Sequence, residues 1–248
     1  MALPKIDLPI FDLKLVSLDK PIRFRPFLVK EEKLMLMALQ SDEDDSIFKT
    51  IKQVVNNCIL DDLDIDKLPI FDIEYLFLNI RARSMGEDIE TYFMCQNVTE
   101  EAHDDVPEVK CQYMMPVKVN VLEIKPPEAG KPNKIYVADK VGIQLSYPTL
   151  RSFKPIEEAV MTEDQDKIFD MIYDCLDYVF DENNLYYKKE TSKEEFSGFL
   201  ESLQQDKFDK ILEFFETLPK ISHDITHVCE KCKFEHTLHL EGLNDFFT

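Results

Sequence analysis

The chain has 248 residues, with 49 Asp and Glu against 29 Lys and Arg and a formal net charge of −20. Such a balance repels phosphate backbones, and no stretch supplies the basic patch that counterion release needs, so the expected partners do not include nucleic acid. Hydrophobic residues make up 44%, with 18 Phe and no Trp, enough apolar material for a folded core, and the acidic surface suits proteins that present basic ones.

The first residues, MALPKIDLPIFDLKL, lack a basic region followed by an apolar run, so no secretory signal is expected. No apolar stretch approaches the roughly 20 residues of a bilayer crossing, which argues against membrane insertion. Six Cys in this setting indicate a reducing compartment and read as core residues or metal ligands.

Residues 6–27 alternate loosely between Pro9, Pro21 and Pro26, as a ribbon of two short strands does. A buried helix is predicted from Lys30, with Glu31 and Glu32 in its first turn and the apolar run 34–39 behind them. Ile47, Phe48, Ile51, Val54, Val55 and Cys58 recur at helical spacing, which puts Cys58 in a core. A third helix is predicted with Asp72 as N-cap, Ile73, Leu76, Phe77 and Ile80 on its inner face, and Gly86 at its end. Residues 89–95 and 111–124 read as a hairpin with a long acidic loop, residues 125–134 as a connector, and Val141, Ile143, Leu145 and Tyr147 as a further strand.

The second half reads as helical. Thr162 with Gln165 forms a capping-box pattern ahead of an apolar face running from Ile168 to Phe180, with Cys175 beside it. Ser192 with Glu195 forms another, and a last helix carries Phe208, Ile211, Leu212 and Phe215 until Pro219 ends it. The predicted fold class is α+β: an N-terminal strand ribbon and helices, an antiparallel hairpin sheet, a helical second half and a C-terminal zinc-ribbon-like hairpin. The expected division is 1–125 and 126–248, the second part returning its CxxC hairpin to the first, with one continuous domain as the alternative.

The most specific chemical signal is Cys229-Glu230-Lys231-Cys232, because two thiolates on one tight turn can face the same zinc ion. Half a site needs another half. Cys95 and Cys111 bracket the predicted hairpin loop, and the ends of antiparallel strands are neighbours, so they are the candidate partners in a structural tetrathiolate site. The turn between them would be a zinc knuckle expanded by an insertion. His227, His236 and His239 crowd the same segment and rank second as ligands, and unmetallated core thiols are the plain alternative. Asp62, Asp64 and Asp66 begin like a calcium loop, but Lys67 stands where glycine is needed and Ile73 where the bidentate Glu belongs. The acidic loop 100–105 reads as a solvated tip. Gly130-Lys131 lacks the rest of a phosphate loop, no HExxH occurs, and no local nucleophile signature points to catalysis.

Three blocks in order resemble the baseplate hub assembly proteins of T-even-type contractile-tailed bacteriophages. These are Phe24-Arg25-Pro26-Phe27-Leu28-Val29-Lys30-Glu31-Glu32-Lys33; Lys67-Leu68-Pro69 with Phe71-Asp72-Ile73-Glu74-Tyr75-Leu76-Phe77-Leu78 and Arg81-Ala82-Arg83-Ser84; and Cys229-Glu230-Lys231-Cys232 with Leu240-Glu241-Gly242-Leu243 and Phe246-Phe247. The resemblance implies a non-catalytic protein that binds phage baseplate hub or tail proteins as an assembly chaperone. The alternatives are a permanent structural subunit of the virion and, from another class, a zinc-dependent hydrolase. It also implies the host bacterial cytoplasm during assembly, or the virion tail, as the location. The family pattern has a close-set first Cys pair, whereas fifteen residues separate Cys95 from Cys111 here. Phe24, Arg25, Phe27 and Lys30 are the expected partner-binding residues, with an edge strand leading into a core helix as the competing account.

Overall fold

The computed structural model describes residues 7–39, 44–101, 108–128, 133–149, 152 and 164–242, the side chains of 38, 39 and 44–48 excepted. The fold is α+β with several small antiparallel sheets, and the chain divides into two compact units. The first takes the described residues of Met1–Leu63, Phe71–Pro127 and Lys220–Thr248, the second those of Asp64–Ile70 and Glu128–Pro219.

In the first unit, β1 (Phe11–Leu13) pairs antiparallel with β2 (Ile22–Phe24), the ribbon expected from the spacing of the prolines. Helix α1 (Val29–Leu39) follows, then α2 (Asp44–Cys58), on which Val54, Val55 and Cys58 are fully buried as the periodicity requires. Helix α1 departs from expectation: Leu36 and Met37 are more than half exposed, while the residue sealed from solvent in its first turn is Glu31. An unbroken apolar run has no polar side, so its periodicity cannot reveal which face turns outward.

Helix α3 (Ile70–Met85) begins three residues earlier than predicted, so Asp72 is not its N-cap. Asp72 is instead fully buried, and its two carboxylate oxygens accept the backbone N–H groups of Val16 and Ser17, each at 2.9 Å. The loop between β1 and β2 must place backbone donors in the interior, and a carboxylate in a helix's first turn satisfies them while favouring the helix dipole. The predicted inner face of Ile73, Leu76, Phe77 and Ile80 is buried. Gly86, at a φ of 104°, ends the helix with its N–H on the Ala82 carbonyl. Strand β3 (Asp88–Met94) then pairs with β6 (Met114–Asn120) from Asp88↔Asn120 to Met94↔Met114, and the short pair β4 (Val98–Glu100) and β5 (Val109–Lys110) lies between them in sequence.

The second unit is built on a four-stranded antiparallel sheet, order β10-β9-β8-β7. Its strands are β7 (Lys134–Tyr136), β8 (Gly142–Leu145), β9 (Leu176–Phe180) and β10 (Leu185–Tyr187). The helices are α4 (Gln165–Asp174), α5 (Lys193–Glu201) and α6 (Gln205–Glu216). Gly142 lets β8 approach its neighbours, since a Cβ there would lie 2.3 Å from the Ile135 carbonyl oxygen and 2.5 Å from the Phe180 ring. Ile143, Leu145, Ile172, Phe196, Ile211 and Phe214 form the centre of one apolar core.

Two expectations here need correction. The helix predicted through Phe180 stops at Asp174, and Leu176–Phe180 is a strand between β8 and β10. Tyr178, Val179 and Phe180 favour a pleated surface, and the pairing available on both edges outweighs the helical register of the preceding turns. Asp164 caps α4 by accepting the Asp166 N–H, and Thr162 lies outside the described residues. The capping box of Ser192 and Glu195 is present as predicted.

The chain returns to the first unit as a hairpin of β11 (Ser222–Val228) and β12 (Glu235–Glu241), paired from Ser222↔Glu241 to Val228↔Glu235. Replacing Asp72 by Ala removes the partner of two part-buried backbone donors, and this is expected to cost about 1–3 kcal/mol, read as a lower urea midpoint for the transition of the first unit.

Candidate metal centre

The CxxC turn joins β11 to β12, and its backbone is clamped twice. The Cys229 N–H donates to the Phe234 carbonyl at 2.8 Å, and the Lys233 N–H donates to the Cys229 carbonyl at 2.9 Å. Lys233 takes a φ of 62°, the left-handed conformation that turns the chain back after the second Cys. The same construction recurs at the end of β3: Cys95 N–H to Tyr113 carbonyl at 2.9 Å, Gln112 N–H to Cys95 carbonyl at 3.0 Å, and Gln112 at a φ of 51°. Residues 98–110 are inserted into this second turn, and β4 and β5 close the insertion so that the Cys111 N–H reaches the Asn97 carbonyl at 2.9 Å. Cys95-Gln96-Asn97 followed in space by Cys111 is therefore the geometric equivalent of a CxxC.

Two such turns bring four sulfurs together. The Sγ atoms of Cys95, Cys111, Cys229 and Cys232 all lie within 4.8 Å of one another. Cys95 and Cys232 are 3.6 Å apart, Cys111 and Cys229 3.9 Å. Both separations far exceed a disulfide bond of about 2.05 Å. They match the edge of about 3.8 Å that a tetrahedron has when its centre lies about 2.3 Å from each sulfur, the zinc–thiolate distance. Cys95, Cys111 and Cys229 are buried and Cys232 is partly exposed, within an apolar cluster that includes Met115, Val117, Phe93, Ile225 and Leu238. Burial raises the pKa of the Cys95 thiol, whereas the Phe234 N–H lowers that of Cys232, so a thiolate forms more readily at Cys232 than at Cys95.

The three histidines separate. His236 sits directly opposite His227 across the hairpin, with its Nε2 3.1 Å from the Cys95 Sγ. The Nε2 of His227 is buried with no hydrogen-bond partner. His239 faces the other side, where its Nδ1 contacts Asp224 at 2.6 Å and is held protonated to higher pH by that carboxylate. Among the described residues, the four Cys are the one close cluster of His, Cys, Asp or Glu donors, and Asp62, Asp64 and Asp66 form none. Asp64 instead accepts the Asp66 N–H and pairs with Lys67, which is turn capping.

The residues expected to meet a partner are placed differently. Phe24 and Phe27 are buried and do not face outward as a contact surface requires. The Arg25 guanidinium is engaged internally: it pairs with Glu31 at 3.2 Å, donates to the Asn57 and Pro26 carbonyls at 2.8 Å each, and touches the Cys58 Sγ. Burial works against ionisation of Glu31, but the Leu28 N–H and Arg25 outweigh it and hold the carboxyl below its ordinary range. Lys30 is the exposed member of the four, beside Val29 at 80% exposure.

An open cleft of about 860 Å³ in the second unit is lined by Tyr173, Asp177, Lys188, Thr191, Ser192 and Glu195. Its polar groups are used within the fold: Lys188 donates to the Asp174 carbonyl, Tyr173 to the Thr191 carbonyl, and Ser192 and Glu195 cap α5.

A family model described as T4 bacteriophage base plate protein matches residues 8–248. No curated protein and no solved structure matches the chain. The two left-handed positions generate a prediction: Gln112→Gly and Lys233→Gly should each raise thermal stability by about 0.5–1 kcal/mol, because glycine adopts that conformation without the Cβ clash. Differential scanning calorimetry of the two variants measures this.

Proposed function

The chain belongs to the T4 bacteriophage base plate protein family, and from that premise we propose that it is a non-catalytic assembly chaperone that binds baseplate hub or tail proteins in the host cytoplasm. The single observation carrying this reading is the family match over nearly the whole chain. The charge agrees with it: a chain of net −20 is suited to hold a basic partner surface and to reject wrong pairings. No helix among the described residues is long and apolar enough to cross a membrane.

The four Cys hold a structural zinc ion in this reading. Four thiolates fill a tetrahedral shell and leave no position for an activated water, so the site supports cross-linking of two hairpins and gives a hydrolase reading nothing to work with. The ion would join β3–β6 to β11–β12 and supply folding energy to the first unit.

Two measurements test these readings. Co-expression with individual hub and tail proteins, followed by size exclusion, is expected to yield a stable complex with at least one of them; migration alone in every case rejects the binding role. Mass spectrometry of purified particles then separates chaperone from permanent subunit, since stoichiometric presence in mature virions would favour the latter. For the metal, the purified full-length chain is expected to carry one zinc per molecule. Cys229→Ser or Cys111→Ser should weaken its binding by about 10–100-fold or more and lower the melting temperature, as should a strong chelator.

A further inference from the structure

Resting on the zinc reading, the structure also bears on how such a centre would be tolerated where it lies. A zinc ion with four thiolates is doubly negative, and here it would be enclosed by Phe93, Met115, Val117, Ile225 and Leu238 in a chain already at −20. Buried charge is costly unless hydrogen-bond donors are fixed against it. Two side-chain nitrogens meet the sulfurs. Asn97 Nδ2 donates to the Cys232 Sγ at 3.6 Å, and His236 Nε2 lies 3.1 Å from the fully buried Cys95 Sγ.

The shorter contact is closer than two ligands of one tetrahedral ion would stand. A nitrogen at about 2.0–2.1 Å and a sulfur at about 2.3 Å from one tetrahedral zinc stand about 3.5 Å apart, wider than the distance observed. His236 is also outside the set of ligand atoms lying within 4.8 Å of one another, and that set already numbers four sulfurs. The ring is held by the Phe234 side chain, packed edge to face with ring centroids 4.8 Å apart, and by its place in the β12 register opposite His227.

We propose that His236 is a positioning residue whose Nε2–H donates a hydrogen bond to the Cys95 thiolate, fixing that sulfur in a four-sulfur zinc centre without itself binding the metal. What the site requires of residue 236 is a donor at that point, which a glutamine amide supplies and a leucine does not.

The test uses the full-length chain, His236→Gln and His236→Leu, each loaded with zinc. Zinc affinity is measured by competition with a chromogenic chelator, and the ligand set by X-ray absorption, which separates Zn–S at about 2.3 Å from Zn–N at about 2.0–2.1 Å. The expected result is four sulfurs in all three proteins, an affinity about 10–100-fold lower for His236→Leu, and recovery of most of that loss in His236→Gln. A nitrogen ligand in the unaltered protein that disappears from His236→Leu overturns the proposal by making His236 a ligand. Equal affinities in all three proteins overturn it, as does equal loss, or failure to fold, in both variants. Absence of bound zinc from the unaltered protein is a separate outcome, which removes the zinc reading itself and with it this inference.

Discussion

Four sulfur atoms drawn from segments up to 137 residues apart are held within 4.8 Å of one another by two turns with the same backbone hydrogen bonds. The hairpins β3–β6 and β11–β12 of the first unit gather around that convergence. Among the described residues, the first unit's sheets are two-stranded: β1–β2, β3–β6, β4–β5 and β11–β12. A two-stranded hairpin is marginal in water without further packing. The hairpins that carry the thiols meet around them in a cluster where Cys95, Cys111 and Cys229 are themselves core residues. The second unit needs no such device, because a four-stranded sheet covered by Phe196, Ile211 and Phe214 buries a continuous apolar core.

The separation of Cys95 from Cys111 along the chain looks incompatible with a knuckle, and the structure shows why it is not. Pairing of β4 with β5 brings the ends of the insertion together, so the Cys111 amide meets the Asn97 carbonyl as though the intervening residues were absent. Loop closure becomes costlier only slowly with length, and a closed stem removes even that cost from the turn it interrupts. The geometry of this pair of thiols is thus defined by the hydrogen bonds around Cys95 and Gln112, not by the count of residues between them.

How much of this was legible follows from what each residue's signal depends on. The β3–β6 hairpin, the Ser192 capping box and the convergence of Cys95 and Cys111 rest on local alternation and on the antiparallel geometry that alternation implies. Three features rest on distant partners and were hidden. Asp72 looks like a helix cap because the amides it satisfies, those of Val16 and Ser17, are 56 and 55 residues away. Residues 176–180 continue a helical register and become a strand only because β8 and β10 are there to pair with them. His236 had no marker beyond its nearness to Cys232; its role emerges only when β11 and β12 are aligned and Cys95 arrives from the other hairpin.

The stretch that carries the family resemblance most clearly, residues 24–33, turns out to build the fold. Phe24 and Phe27 fill the interior, and Arg25 with Glu31 ties β2 to the ends of α1 and α2 through the Asn57 carbonyl and the Leu28 amide. A signature made of such residues reports which fold a chain adopts, because burial constrains side chains more tightly than contact with solvent does. The fold also leaves apolar side chains uncovered. On α1 these are Val29 and Leu36, which share one face, and Met37 beside them; on the outer face of β3–β6 they are Tyr92, Met94 and Met114. In the binding role proposed above, such side chains would supply contact area while the surrounding carboxylates select the partner, a division of labour common to selective protein surfaces.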